Sequence, residues 1–283
     1  MPTIEQIKNE IEDIEMIRTI SSALLEVAAL RIKNIKREFD HNQTFFKEVS
    51  DLYNIIKASA QRLGISLHKN DTQQKETLTM SIAITSNQRF HGLLNSRVVD
   101  RFLDSVDRKK SDCIIVGRTG KQYTSGREEP IECEYITFKN DYPTPGETRA
   151  FLQKIAPYSQ VFLYYPKFVT VFSQEVGIID ITYSPDPTTD DIDREKEPDY
   201  IYEPELVKII DFFETQVRRL LFLRIMLESE LARTSARLVK MNTTESRATE
   251  MVEDKKRGLR KEQSIVNDIH LLESFSGINQ WLK

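Results

Sequence analysis

The positions of the helix breakers constrain this chain more than any other feature. From Thr3 to Leu63 there is neither glycine nor proline, and from Glu205 to Lys283 there is no proline and only Gly258 and Gly277. Eight of the ten prolines fall between Pro130 and Pro198. Proline removes a backbone donor and clashes with the preceding turn, so both ends of the chain are free to be helical over unusual lengths while the middle is not.

The apolar residues of the N-terminal stretch step by threes and fours: Ile4, Ile7, Ile11, Ile14, Ile17, Ile20, Leu24, Val27, then Ala28, Ile32, Ile35 and Phe39. This narrow stripe reads as a coiled-coil seam, with the run of threes from Ile11 to Ile20 as a local overwinding defect. The C-terminal stretch has the same spacing through Leu206, Ile210, Phe213, Val217, Leu220, Leu227, Leu231, Leu238, Met241, Ala248 and Val252. A helix of about 80 residues would reach about 120 Å at 1.5 Å per residue, whereas helices in globular domains average about 11–12 residues. The simplest burial for two such helices is against each other, antiparallel. Mixed charges on the second helix (Arg218, Arg219, Arg224, Glu228, Glu230, Arg233, Arg237, Lys240) read as its solvated outer face.

The middle has a different grammar. Residues 78–85, 112–118, 131–138, 161–169 and 176–183 are short apolar runs rich in β-branched and aromatic residues, and read as strands. Residues 97–110 and 146–155 carry helical spacing. Residues 184–199, "SPDPTTDDIDREKEPD", form an acidic, proline-bearing connector. The fold class expected is α/β: a long antiparallel coiled coil of N- and C-terminal helices with an inserted small Rossmann-like α/β domain. The boundaries are placed at 1–66 for the first helix, 77–200 for the inserted domain and 204–283 for the second helix.

Chemistry is hard to find. "ITSNQRFHGLLNS" (84–96) follows a strand and holds Ser86, Arg89 and His91, but a nucleophile elbow needs Gly-x-Ser-x-Gly and His91 has no orienting acid nearby in sequence. "GRTGKQYTSG" (117–126) fails the P-loop pattern, since Gln122 follows Lys121 and Ile115 stands five before Gly120; it reads as a turn between strands. The four histidines are scattered and neither cysteine has a ligand-spaced partner, so no catalytic, cofactor-binding or metal site is expected on this chain. A net charge of −4 argues against a nucleic-acid partner. No run reaches the ~18 apolar residues needed to span a bilayer, and the acidic, amphipathic N-terminus is no secretory signal. Cys113 and Cys133 suit a reducing cytoplasm; they pair if the fold brings them together, and otherwise read as small buried apolar side chains.

Six segments, in order, resemble the gamma subunit of F-type ATP synthases. "TISSALLEVAALRI" (19–32) is similar to that family's "KITKAMEMVAASKL", matching at Ile20, Ala23, Val27, Ala28 and Ala29, with Leu24 in place of methionine. "ITSNQRFHGLLNS" resembles "TSDRGLCGGLN", with Thr85, Ser86, Gly92, Leu94 and Asn95 in register. "IIVGRTGKQYTSG", "VFLYYPKFVTVFSQE" and "YIYEPELVKIIDFF" resemble a strand with its Gly-basic-Gly turn, the "YNKF" strand and the start of the C-terminal helix. "MLESELARTSARLVKMNTTESRATEMV" (226–252) matches through Glu228, Ser229, Ala232, Ala236, Arg237, Met241 and Thr244.

The chain also departs from the family. Asn87 replaces an aspartate, Phe90 and His91 enlarge a normally small loop, and Lys261 and Glu262 stand where the family has an Arg-Gln pair facing a catalytic subunit. The resemblance implies a non-catalytic rotating shaft that couples ion flow to ATP synthesis or hydrolysis. It implies alpha and beta ATPase subunits, an epsilon subunit and a membrane c-ring as partners. Nucleotide and magnesium would be held by the beta subunits, and the complex would sit peripherally on the cytoplasmic face of the plasma membrane. It places hexamer contacts at Leu24, Val27, Lys261, Glu262, Ile265, Ile269 and Leu272, the last three in an apolar tip that Phe275 continues. Two other readings are a hydrolytic or sodium-driven shaft and a non-rotary coiled-coil scaffold presenting an α/β binding module.

Overall fold

The structure, a computed structural model, describes residues 3–62, 78–106, 111–126, 132–182, 203 and 205–281, with residue 61 and residues 275–281 described by backbone alone. The acidic connector lies outside the described residues.

The breaker-free ends are the two long helices, α1 (Ile4–Arg62) and α5 (Leu206–Trp281). Between them come β1 (Thr79–Ile84), α2 (Leu94–Ser105), β2 (Ser111–Val116), α3 (Arg118–Ser125), β3 (Glu134–Ile136), α4 (Pro145–Ile155), β4 (Gln160–Phe168) and β5 (Gln174–Asp180). They form one five-stranded sheet in the order β3-β2-β1-β4-β5. β1, β2, β3 and β4 run parallel, and β5 is antiparallel to β4.

The expected turn at 117–126 is instead the two-turn helix α3. β2 and β3 are parallel, so their connection has to cross over rather than reverse. Gly117, at φ 101°, makes the break between β2 and α3, and a Cβ there would lie 2.8 Å from the Thr85 backbone. Helix α4 begins on a capping box: Thr144 and Glu147 bond each other's backbone N–H groups, and Pro145 occupies the first turn. Cys113 on β2 and Cys133 just before β3 are joined in a disulfide, so they are not separate thiols. The bond lies beside a three-residue edge strand and closes a separation of 20 residues.

The chain divides into two compact units. One comprises Arg31–Ala236, and the other Met1–Leu30 with Arg237–Lys283. In the first unit both sheet faces are covered. Ala83, Ile115 and Tyr164 pack against Val98 and Phe102 of α2. On the other face Met80, Ile82, Ile114, Val161 and Leu163 pack against Phe151 and Ile155 of α4 and Leu221, Phe222, Ile225 and Met226 of α5. Phe151 stacks on Phe222 at 5.0 Å. Within this unit α1 lies antiparallel to α5: Arg31 pairs with Glu230, and Tyr53 donates to Glu214 at 3.1 Å. Tyr53, Ile56 and Ala60 pack there against Leu206, Ile210 and Val217.

In the second unit Ile7 and Ile11 pack on Val252, with Ile14 and Leu259 at the margins. Lys255 meets Glu10 at 2.5 Å and Lys256 meets Glu15 at 2.7 Å. One line of covered α1 positions runs through Ile7, Ile11, Ile14, Arg18, Ser21, Leu25 and Ala28, each buried or half-buried. Their steps alternate four and three without a break. The threes from Ile11 to Ile20 are therefore no overwinding defect. Arg18 and Ser21 carry the seam through, and Ile17 and Ile20 belong to a different face.

Candidate functional site

Two places combine unusual side chains with unusual environments, one in each unit.

The first is the joint between α5 and the carboxyl ends of the strands. Arg233, at 1 % exposure, is among the largest fully buried side chains. Its guanidinium lies 3.5 Å from the carbonyls of Thr85 and Asp141. At that length the contact is chiefly cation to carbonyl dipole. The carbonyl of Arg233 itself lies 3.0 Å from Nδ1 of His91. His91 is turned inward because Phe90 and Gly92 on either side have left-handed backbones, at φ 71° and 60°. For a phenylalanine this conformation is strained.

Thr85 ties the same corner together, giving its hydroxyl proton to Val116 and accepting from the Gly120 N–H at 3.0 Å. Asn87 uses its backbone and both ends of its side-chain amide. Its backbone N–H donates to Asp141, its Nδ2 to the Phe138 carbonyl at 2.9 Å, and its Oδ1 accepts from the Arg118 N–H at 3.2 Å. An aspartate could accept but not donate there, which accounts for asparagine in this chain.

Ser86 is fully buried, donates to the Gln88 carbonyl at 2.7 Å and accepts from Asn95 at 2.8 Å. With its proton committed and no solvent access, Ser86 is structural. The loop is a fastening between β1, α2 and α5, and not a catalytic loop.

The polar residues near Arg233 are buried as well. Glu228 and Glu230 are 8 % and 7 % exposed, so they are not part of a solvated outer face, and neither is Arg233. This stretch of α5 is embedded between the sheet and its neighbours, so every side of the helix is covered. Burial pushes the Glu228 carboxyl above the usual range, against the opposing pull of Arg224. Burial next to Glu228 pushes the Tyr165 hydroxyl up to about 12.

The second place is a second face of α1. Met16, Ile17, Ile20, Val27 and Leu30 are 51–70 % exposed, although this helix has a seam of its own. Val27 stands on that face and Leu24 is half-buried beside it. On α5, Lys261 is exposed and Glu262 half-buried. Ile265 and Ile269 are each 49 % exposed and Leu272 is 70 % exposed. The side chain of Phe275 lies outside the described residues. Sequence reasoning merged the two faces of α1 because it counted only apolar residues and so passed over Arg18 and Ser21.

Among the described residues, no cluster of histidine, cysteine, aspartate and glutamate could hold a metal, and no helix is long and apolar enough to cross a membrane. Two breaker-free helices bracket a doubly wound sheet, and α5 is fastened through buried charge to the ends of its strands. The ATP synthase family profile matches residues 3–269, and the chain belongs to that family. The ATP synthase gamma chain of Halothermothrix orenii is 24 % identical over 265 residues, covering 89 % of this chain and 90 % of that one. The gamma chain of Clostridium novyi is 24 % identical over 257 residues, 87 % of each. Among solved structures, the central stalk and c-ring of the Tetrahymena thermophila mitochondrial ATP synthase aligns with a TM-score of 0.55 at 16 % identity, covering 79 % of this chain and 98 % of that one. A chain of the Euglena gracilis mitochondrial enzyme aligns with the same TM-score over 91 % and 94 %.

Proposed function

We propose that this chain is the gamma shaft of a proton-transporting rotary ATP synthase. It turns inside a hexamer of alpha and beta subunits and couples a membrane c-ring to the nucleotide sites those subunits carry. Catalysis belongs to the partners; this chain supplies asymmetry and torque. A shaft shifts each site's equilibrium only through contacts that differ between orientations. An epsilon subunit completes the rotor, and the complex lies on the cytoplasmic face of the plasma membrane.

The exposed apolar face of α1 carries this reading. Five large side chains left in water beside an already filled seam are costly to leave open, since full burial of each is worth about 1.5–3 kcal/mol. A surrounding partner would cover that face, and Val27 and Leu24 would meet it. Lys261, Glu262, Ile265, Ile269 and Leu272 would form the corresponding contacts on α5. The buried fastening at Arg233 supports the second half of the role, because torque taken up by the α/β domain has to enter α5 through a joint that does not slip.

Affinity isolation of the chain from its native cells tests this. Alpha-like and beta-like ATPase subunits are the expected companions, and their absence under mild conditions would sink the assignment. The double variant Ile20→Asp, Val27→Asp should lose the hexamer while keeping the circular dichroism and melting of the parent.

A further inference from the structure

We infer that the groove between α4 and α5 is a docking site for an acidic segment of a partner protein. The groove encloses about 640 Å³, and three arginines line it: Arg149 from α4, and Arg218 and Arg219 from α5. Within the described residues none of the three has a hydrogen bond or an ion pair. Among the described residues no carboxylate forms an ion pair with these guanidiniums. Three like charges around one concavity repel each other, and the arrangement becomes favourable when an anion from elsewhere is seated between them.

The lining selects among anions. The guanidinium fork matches a carboxylate through two parallel hydrogen bonds. A free phosphate would favour open backbone N–H groups at a helix start. The N-terminus of α4 is already closed, because Thr144 accepts from the Glu147 N–H and Glu147 bonds the Thr144 and Lys139 N–H groups. Those bonds hold the Glu147 carboxyl below its ordinary range, so the cap stays charged and in place. Leu152 and Ala156 make the rest of the wall apolar. A small anion would leave this wall in water, whereas a peptide with carboxylates flanking an aliphatic side chain covers both parts. Gln216 also lines the groove, and a side-chain amide can both donate to and accept from a segment's backbone.

This inference goes beyond the hexamer contact, since the groove belongs to the unit with the α/β domain and the exposed face of α1 belongs to the other. A photo-crosslinking residue at Gln153, in the complex isolated from native cells, tests it. The crosslinked peptide is expected to come from a protein segment with at least two carboxylates within a helical turn. The crosslink yield should fall at least about tenfold in the triple variant Arg149→Glu, Arg218→Glu, Arg219→Glu, an effect of the size that losing one charged contact gives. The control pair Arg97→Glu, Arg101→Glu on the exposed side of α2 should leave it unchanged. A crosslink to lipid or to a segment without acidic residues overturns the inference, as does the absence of any crosslink or a yield indifferent to the triple reversal. Co-purification of the hexamer is scored in the same samples, so a failed shaft assignment is read separately.

Discussion

The middle of α5 and the first half of α1 are helices of similar composition in opposite situations. From Leu221 to Ser235 α5 is buried almost continuously, and the buried set includes Glu228, Glu230, Arg233, Thr234 and Ser235. From Met16 to Leu30 α1 leaves most of its large apolar side chains in solvent while burying Ser21 and Ala28. One helix covers polar groups and the other exposes apolar ones. Burying an unpaired polar group costs more than burying a methylene returns, so the first arrangement persists only where the polar groups are fastened. The second persists only where something else has a use for the surface. The contrast separates a stretch covered by its own chain from one that the proposed function gives to a partner.

The largest expected effect is at the held end. Arg233→Ala removes a buried cation from the Thr85 and Asp141 carbonyls. It also leaves space where one of the largest buried side chains stood. It should cost about 3–5 kcal/mol in urea denaturation, the range for truncating a large, fully buried side chain. A loss under about 1 kcal/mol would mean that α5 is held by Phe222, Ile225 and Met226 alone.

The same contrast explains what the sequence revealed. The long helices were legible because breakers are absent from two stretches, and the strands because their runs are β-branched and bounded. α3 was not legible, since its eight residues include Gly120, Thr119 and Thr124, poor helix formers that stay helical because the crossover from β2 to β3 requires it. The burial of Arg233 and Glu228 was invisible for a related reason. Charge on a helix normally marks the wet side, and only the tertiary arrangement shows a helix with no wet side. His91 was noticed as a possible base, but its bond to the Arg233 carbonyl joins residues 142 apart in sequence, beyond any local pattern. The exposed face of α1 is only partly visible in the apolar spacing, which includes Ile17, Ile20 and Val27 but omits Met16 and Leu30.

A second, smaller effect probes the seam of α1 from its covered side. Ala28 is 2 % exposed, so Ala28→Leu overpacks it and should cost about 1–3 kcal/mol. Leu30→Asn, two residues away at 70 % exposure, should change stability by less than about 0.5 kcal/mol. Chemical denaturation of the two variants side by side gives the difference, and equal costs would erase the distinction between a covered and an open face.

The smallest effect depends on pH and returns to α5. Because burial raises the Glu228 pKa in the folded chain, the folded state holds its proton more tightly than the unfolded state does. Stability from this group is present at pH values below about 4.5, the unfolded range, and is lost as the pH rises through the higher folded value. At neutral pH the parent chain carries the cost of a buried carboxylate that Arg224 and the Tyr165 hydroxyl, 3.5 Å away, offset only in part. Glu228→Gln keeps an acceptor for Tyr165 and removes the charge. The variant should match the parent at low pH and exceed it by less than about 1 kcal/mol near pH 7.5, the scale of a single buried hydrogen-bonded group. Glu250→Gln, at an exposed position of the helix pair, should stay within about 0.5 kcal/mol of the parent. If Glu228→Gln were instead less stable than the parent near pH 7.5, the carboxylate would be a net holder of α5, and the fastening would rest on Glu228 as much as on Arg233.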